Sequence, residues 1–315
     1  MREQLKLYYL FLIFVASTQN ASSQKIVQNT QLKIWPKGIP GSIVDTNYKE
    51  RIVGAAWGQG ETVVEKVSDP EINVFLPPIS KATGTAVLII PGGGYEYLCL
   101  EQECLPAANW LNGLGIAAII LKYRLPSDKI MKDKSVGPLQ DAQEAMRIIR
   151  RNAKRWNVNP KKVGVIGFSA GGHLATTLAT HFDEKVYQPT DTVSARPNFS
   201  ILIYPVISMQ IPITYRASRD ALLGMQPDTT EVIHFSNQLQ ITANTPPAFI
   251  VHASDDGAVL PQNSIEYYQN LIKLKIPAEM HIYEKGGHGF RLGVGKPTAC
   301  EWPAACIKWL HSNGW

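Results

Sequence analysis

Unbroken apolar runs recur along the chain, and between them apolar positions return every third or fourth residue. "TAVLIIP" (85–91), "IAAIILKYR" (116–124), "KVGVIGFS" (162–169), "FSILIYPVIS" (199–208) and "PPAFIVHAS" (246–254) lack the polar alternation of a strand with one wet face. Each reads as a strand buried on both sides, and "AEMHIYEK" (278–285) continues the series. The intervening stretches have helical spacing. "LPAANWLNGLG" stops at Gly115, and "LQDAQEAMRIIRRNAKRWN" sets Leu139, Ala142, Ala145, Met146 and Ile149 on one stripe. "GGHLATTLATHF", "NSIEYYQNLIKLK" and "PAACIKWLHS" supply three more helices. Alternating strands and helices predict an α/β fold, a doubly wound, mostly parallel sheet in a single domain.

Flanking segments depart from that rhythm. "TVVEKVS" and "EINVFLP" read as two strands of an antiparallel start. A Pro/Gly-rich stretch, "IWPKGIPGS", and a polar segment precede them, and residues 209–245 read as a Pro-rich irregular insertion. At the very start a basic "MREQLK", an apolar "LYYLFLIFVA" and a small polar "STQNASSQ" have the three parts of a secretory signal, with cleavage expected near Ser23. Its apolar run is too short to span a bilayer. The expected organisation is therefore a signal over 1–23, an N-terminal segment over 24–60 and a catalytic domain over 61–315. The protein is expected to be secreted or periplasmic, with no stable membrane insertion after cleavage.

Composition narrows the classes. Over 315 residues, 45% are hydrophobic and 18% charged, too apolar for a disordered chain. The net charge is +5, and no Lys/Arg block is interleaved with aromatics, so no nucleic-acid partner is expected. Four cysteines fall in two close pairs, Cys99 with Cys104 and Cys300 with Cys306. Export allows two local bridges, and four free thiols fit the spacing as well. No Cys/His spacing has the zinc pattern, so neither a metal nor another cofactor is expected.

Candidate chemistry gathers at strand ends, where a doubly wound sheet places its working loops. "GFSAG" fits the G-x-S-x-G turn between strand and helix, with Ser169 as the nucleophile. A serine needs a base, and the base needs a carboxylate to set its tautomer. "ASDDGAV" offers Asp255 and Asp256. Asp256 is preferred, because burial of Val259 turns its carboxylate inward and leaves Asp255 to cap the turn. "EKGGHGF" offers His288 between glycines, while the other six histidines lie in strands, helices, the insertion or near the chain end. Ser169, Asp256 and His288 follow one another in the order of a hydrolase triad. "IIPGGGYEY" adds three glycines at a strand end, and the N–H groups of Gly93, Gly94 and Ala170 are candidates for an oxyanion hole. Tyr95 and Tyr97 either contact a substrate or brace that loop, and Arg291 is a third candidate contact.

"VLIIPGGGY", "ILKYRLP", "PLQDAQEAMR", "GFSAGGHLA", "PNFSILIYPVIS", "TPPAFIVHASDD" and "YEKGGHGF" together resemble the secreted α/β-hydrolase esterases grouped with acetylxylan and feruloyl-type carbohydrate esterases. The likeness runs from about residue 32 to the C-terminus. It implies an α/β-hydrolase fold and a serine esterase that removes acyl groups from plant cell-wall polysaccharide or its oligosaccharides. Carried over by position, it puts the nucleophile on Ser169, the acid on Asp256, the base on His288 and the oxyanion loop on Gly92–Gly94. Two positions depart from the wider pattern. Pro91 stands where many relatives of the hormone-sensitive-lipase type have His, and Arg291 stands where a small residue usually follows "HGF". Two other readings are a general carboxylesterase or lipase for small apolar esters and a non-catalytic binding protein on a hydrolase scaffold. An intact Ser, Asp and His argue against the second.

Overall fold

A computed structural model describes residues 29–56 and 61–315. The secretory-signal expectation falls outside these residues. Strands β1 (Asn29–Lys33), β4 (Glu71–Phe75), β5 (Ala86–Ile90), β7 (Ala117–Lys122), β8 (Val163–Phe168), β9 (Ser200–Ile203), β10 (Ala248–Ala253) and β11 (Ala278–Tyr283) form one sheet. Their order is β1-β4-β7-β5-β8-β9-β10-β11. β1, β4 and β7 pair antiparallel, and every pairing from β7 to β11 is parallel. β5, β8, β9 and β10 are buried at every position, as their apolar runs require. β11 is the edge strand, and its residues are partly exposed.

Helices cover both faces. Apolar residues of α2 (Gly137–Arg151), α3 (Ala170–Thr180) and α6 (Gln262–Lys273) join one core cluster. Residues of α1 (Leu105–Gly113) and α7 (Trp302–Ser312) join the other. The striped residues of α2 all lie in the first cluster. Two of the motifs quoted above meet here: Arg124, at the end of β7, forms a buried ion pair with Asp141 of α2.

Three expectations about flanking segments need correction. The segments read as an antiparallel pair lie in different sheets. β3 (Glu61–Glu65) pairs with β2 (Arg51–Ala56) and with β6 (Tyr97–Leu98), whereas β4 joins the main sheet. Two edge strands take the places next to them: β1 is the polar stretch NTQLK, and β2 is the short, glycine-interrupted stretch RIVGAA. The 209–245 insertion contains α4 (Arg216–Leu223) and α5 (Thr229–His234). Asp228 caps α5 by accepting the Glu231 N–H at 2.8 Å, so "DTTE" carried a helix-start signal. Among the described residues, no helix is long and apolar enough to cross a membrane.

Candidate active site

Ser169 ends β8 with φ 52° and ψ −120°, a backbone that a non-glycine residue adopts only under constraint. Its amide donates to Ile203 O and its carbonyl accepts from Gly172, His173 and Val206 N–H, which hold the turn from several sides. The flanking glycines are required by close approach. A Cβ on Gly167 would lie 2.3 Å from Gly171 O, and one on Gly171 would lie 2.3 Å from Ile90 O. Strand, turn and helix α3 are thereby pressed together, with the hydroxyl at the sheet's carboxyl edge.

The structure brings the three expected groups into one chain of hydrogen bonds. His288 Nε2 lies 2.9 Å from Ser169 Oγ, and His288 Nδ1 lies 2.7 Å from Asp256 Oδ2. The other Asp256 oxygen accepts the N–H groups of Ala258 and Val259 at 3.0 and 2.9 Å, and Val259 is buried. Burial alone would raise the Asp256 pKa. Hydrogen bonds from His252 and His288 outweigh it and hold the carboxyl well below its usual range. His288 therefore faces a carboxylate, which fixes Nδ1 as the protonated nitrogen and leaves Nε2 to accept from Ser169. Asp255 departs from its expected part. It accepts the N–H groups of Gly286 and Gly287 at 2.9 and 2.8 Å, so it anchors the loop that carries His288 and does not cap its own turn.

Gly93 and Gly94 stand at φ 123° and 67°, and a Cβ on Gly93 would fall 2.0 Å from Tyr97 O. Among the described residues, no protein acceptor takes the N–H groups of Gly93, Gly94 or Ala170. Ala170 opens α3, where the positive end of the helix dipole adds to its pull on an anion.

The expected substrate contacts fare differently. Of the two readings of Tyr95 the substrate contact is overturned and the brace holds: the residue is only 2% exposed, and its hydroxyl is 2.8 Å from His173 Nδ1. It braces the loop from beneath and presents no face to a sugar. Tyr97 is half-buried, and burial raises its pKa. Arg291 pairs through its guanidinium with Glu61, so the cation is already neutralised by the protein. Its backbone, at φ 55°, donates to Tyr204 Oη and accepts from Trp302 Nε1. All four cysteines are free thiols: Cys104 and Cys306 are buried, Cys99 is half-buried and Cys300 is exposed.

Four supporting residues escaped the sequence reading. Glu103 accepts Gly92 N–H at 2.6 Å and the Tyr204 hydroxyl at 3.2 Å, and burial pushes its pKa up to about 7 despite those bonds. A π-helical turn, Leu100–Cys104, carries it inward. The Tyr204 ring lies against His288 with centroids 5.0 Å apart. His252 sits beneath the acid, with Nε2 3.3 Å from Asp256 Oδ2 and Nδ1 2.7 Å from Ser264 Oγ. His173 links the Gly92–Gly94 loop, through Tyr95, to the insertion, because its Nε2 lies 2.8 Å from Phe235 O. Burial lowers its pKa to about 4, so it is neutral at neutral pH. None of the four stands in a motif of its own.

Residues 72–271, well over half of the chain, match the model of the family described as BD-FAE. The chain belongs to the BD-FAE family. It is 39% identical over 224 residues to an acetylxylan esterase of Xylanibacter ruminicola, a match that covers 70% of this chain and 43% of that one. It is 38% identical over 206 residues to endo-1,4-beta-xylanase B of Butyrivibrio fibrisolvens, covering 64% and 32%. This BD-FAE chain thus spans less than half the length of these curated relatives. An acetyl ester-xyloside bifunctional hydrolase of Caldicellulosiruptor lactoaceticus shares the fold with a TM-score of 0.76 and 34% identity. That alignment covers 90% of this chain and 96% of that structure. The expected α/β-hydrolase fold and membership among the esterases of that fold are borne out.

Proposed function

We propose that this chain is a serine esterase that removes O-acyl groups, chiefly O-acetyl, from plant cell-wall polysaccharide or oligosaccharide such as xylan. The observation that carries this reading is the continuous hydrogen-bond chain from Ser169 Oγ through His288 to Asp256. His288 Nε2 takes the proton of Ser169 as its oxygen attacks the ester carbonyl. The tetrahedral oxyanion then accepts from Gly93, Gly94 and Ala170 N–H. His288 passes the proton to the departing sugar alcohol, which leaves an acyl-Ser169 ester. A water molecule, deprotonated by the same imidazole, attacks that ester and releases the carboxylic acid. Removing one oxyanion donor typically costs about 3–4 kcal/mol of transition-state stabilisation.

The substrate class follows from the named activities of the acetylxylan esterase and the acetyl ester-xyloside hydrolase. The chemistry is assigned to residues 61–315 and the protein to an exported location, with the first 23 residues removed. Acetate release from acetylated xylan, measured beside p-nitrophenyl esters of increasing chain length, tests the reading. The wild type should release acetate from xylan, and Ser169→Ala should lose turnover on both substrates while its unfolding profile is unchanged. Rates that rise with acyl length and no release from xylan would favour a general carboxylesterase. Undiminished turnover by Ser169→Ala would overturn the mechanism.

A further inference from the structure

Helix α3 carries the nucleophile turn at one end and His181 just past the other. His181 is buried, and its two ring nitrogens have unequal fates. Nδ1 lies 2.8 Å from Thr180 Oγ1, while Nε2 is buried with no hydrogen-bond partner. The Thr180 hydroxyl has one proton, and carbonyl oxygens of Thr176 at 2.8 Å and Asn237 at 3.2 Å compete for it. With that proton on Thr176 O, Thr180 Oγ1 accepts from His181 Nδ1–H and the lone pair falls on Nε2. A buried acceptor without a donor is uncommon in a folded protein. A lone pair on one nitrogen, with the other nitrogen donating to an oxygen, is how metal-binding histidines are set.

Two further ligand groups converge on the same place. A tight turn after α3, closed by Glu184 N–H on His181 O, brings Glu184 back, and His234 arrives as the last residue of α5. One ligand atom from each of the three residues lies within 4.8 Å of the others. The His234 Nε2 to Glu184 Oε2 distance is 3.3 Å. That matches the edge of about 3.3 Å between two ligands held roughly 2.0–2.1 Å from a tetrahedral ion. The C-terminal ends of α3 and α5 meet here, and such ends favour positive charge.

We propose that His181, Glu184 and His234 bind a divalent first-row transition-metal ion of the zinc class, which pins the 209–245 insertion to the far end of the nucleophile helix. Two imidazoles and one carboxylate are the borderline donor set that suits such an ion over calcium or magnesium. Glu184 and His234 side chains are 35% and 39% exposed, so a fourth position opens to water and the ion enters from solvent. The ligands lie some 50 residues apart in two elements, which is why their spacing in the sequence resembles no metal motif.

The test is calorimetric titration of ZnCl2 into the tag-free full-length chain after chelation, with Glu184→Gln and His234→Ala beside it. Both variants alter half-exposed side chains, and the metal-free melting midpoint of each should match the wild type. The wild type should bind one ion per chain, and each variant should weaken binding at least about tenfold. Zinc at a hundred times its Kd should raise the wild-type melting midpoint by roughly 5 °C. Wild-type protein that takes up no zinc, or variants that bind it equally well, would show that the cluster is only a His–Glu ion pair.

Discussion

The amide of Gly92 donates to Glu103 Oε2 at 2.6 Å, tying the first glycine of the Gly92–Gly94 loop to a buried carboxyl. Burial raises the Glu103 pKa from 4.5 to about 7. The folded state therefore holds this proton more tightly than the unfolded state. Its favourable contribution is complete below pH 4.5 and is lost as the pH climbs through 7. The loss amounts to about 3 kcal/mol across that window. Glu103→Gln removes the titration. Denaturant unfolding of both proteins at pH 4.5 and pH 8 should show the wild type losing stability relative to the variant by about that amount. Parallel profiles would mean that Glu103 stays ionised throughout.

Asp256 offers one oxygen to two backbone amides and the other to His288, and only a carboxylate can do both. In Asp256→Asn the amide oxygen stays with Ala258 and Val259 N–H, so the NH2 group faces His288. Nδ1 must then accept, the ring proton moves to Nε2, and the base for Ser169 is lost. On the precedent of such triads, kcat should fall by about 10⁴-fold. Asp255→Ala supplies the contrast, since it loosens the His288 loop but leaves the tautomer intact, and should cost about tenfold or less. Initial rates on p-nitrophenyl acetate distinguish the two. Equal losses would remove the distinction drawn between these neighbours.

Tyr95 holds the glycine loop through one buried hydroxyl. His173 donates through Nε2–H to Phe235 O, so its Nδ1 must accept, and Tyr95 Oη is the donor at 2.8 Å. Tyr95→Phe leaves that buried nitrogen with only Thr177 Oγ1, 3.5 Å away, and the loss of the shorter bond costs about 1 kcal/mol. It also frees a residue whose left-handed backbone, at φ 67°, needs an anchor. The unfolding midpoint and kcat should fall together. A stability loss with unchanged kcat would show that the loop keeps its shape without the anchor.

The central sheet was legible because its strands are buried on both faces, and a strand of that kind writes itself as a continuous apolar run. Ser169 and Asp256 were legible because each sits just past the end of such a run, Ser169 between glycines that close approach demands, and His288 because glycines at φ 66° and 76° flank it in the loop after β11. β1 was not legible, since a polar edge strand looks like a loop until its partner is known, and β2 was not, since a glycine interrupts a run too short to stand out from the polar segment around it. The part played by Tyr95 stayed open between two readings for a related reason. Whether a side chain beside a glycine loop faces solvent or core depends on a backbone dihedral that the sequence does not display. Glu103 reaches Gly92 from 11 residues away and His252 lies four residues before Asp256, and no local pattern marks either one.

Arg124 and Asp141 show how two unremarkable motifs were joined by the fold. Their side chains are 1% and 0% exposed, and Arg124 Nε and Nη2 reach the carboxylate at 3.0 and 2.9 Å. The Arg124 backbone N–H and Trp35 Nε1 also donate to Asp141, at 2.9 and 2.7 Å, and Arg124 Nη1 donates to Pro40 O at 3.1 Å. The pair thus fastens the N-terminal segment to the sheet as well as β7 to α2. Asp141→Ala leaves a buried guanidinium without its counter-charge and takes the acceptor from the Arg124 backbone N–H and Trp35 Nε1, a change that costs about 3–5 kcal/mol. Denaturant unfolding should show that loss, and amide exchange over residues 29–42 should speed up more than exchange in β8. A loss below about 1 kcal/mol would mean that water reaches Arg124 and replaces the carboxylate. Exchange that rises uniformly would instead confine the pair to global stability and deny it a part in docking the N-terminal segment.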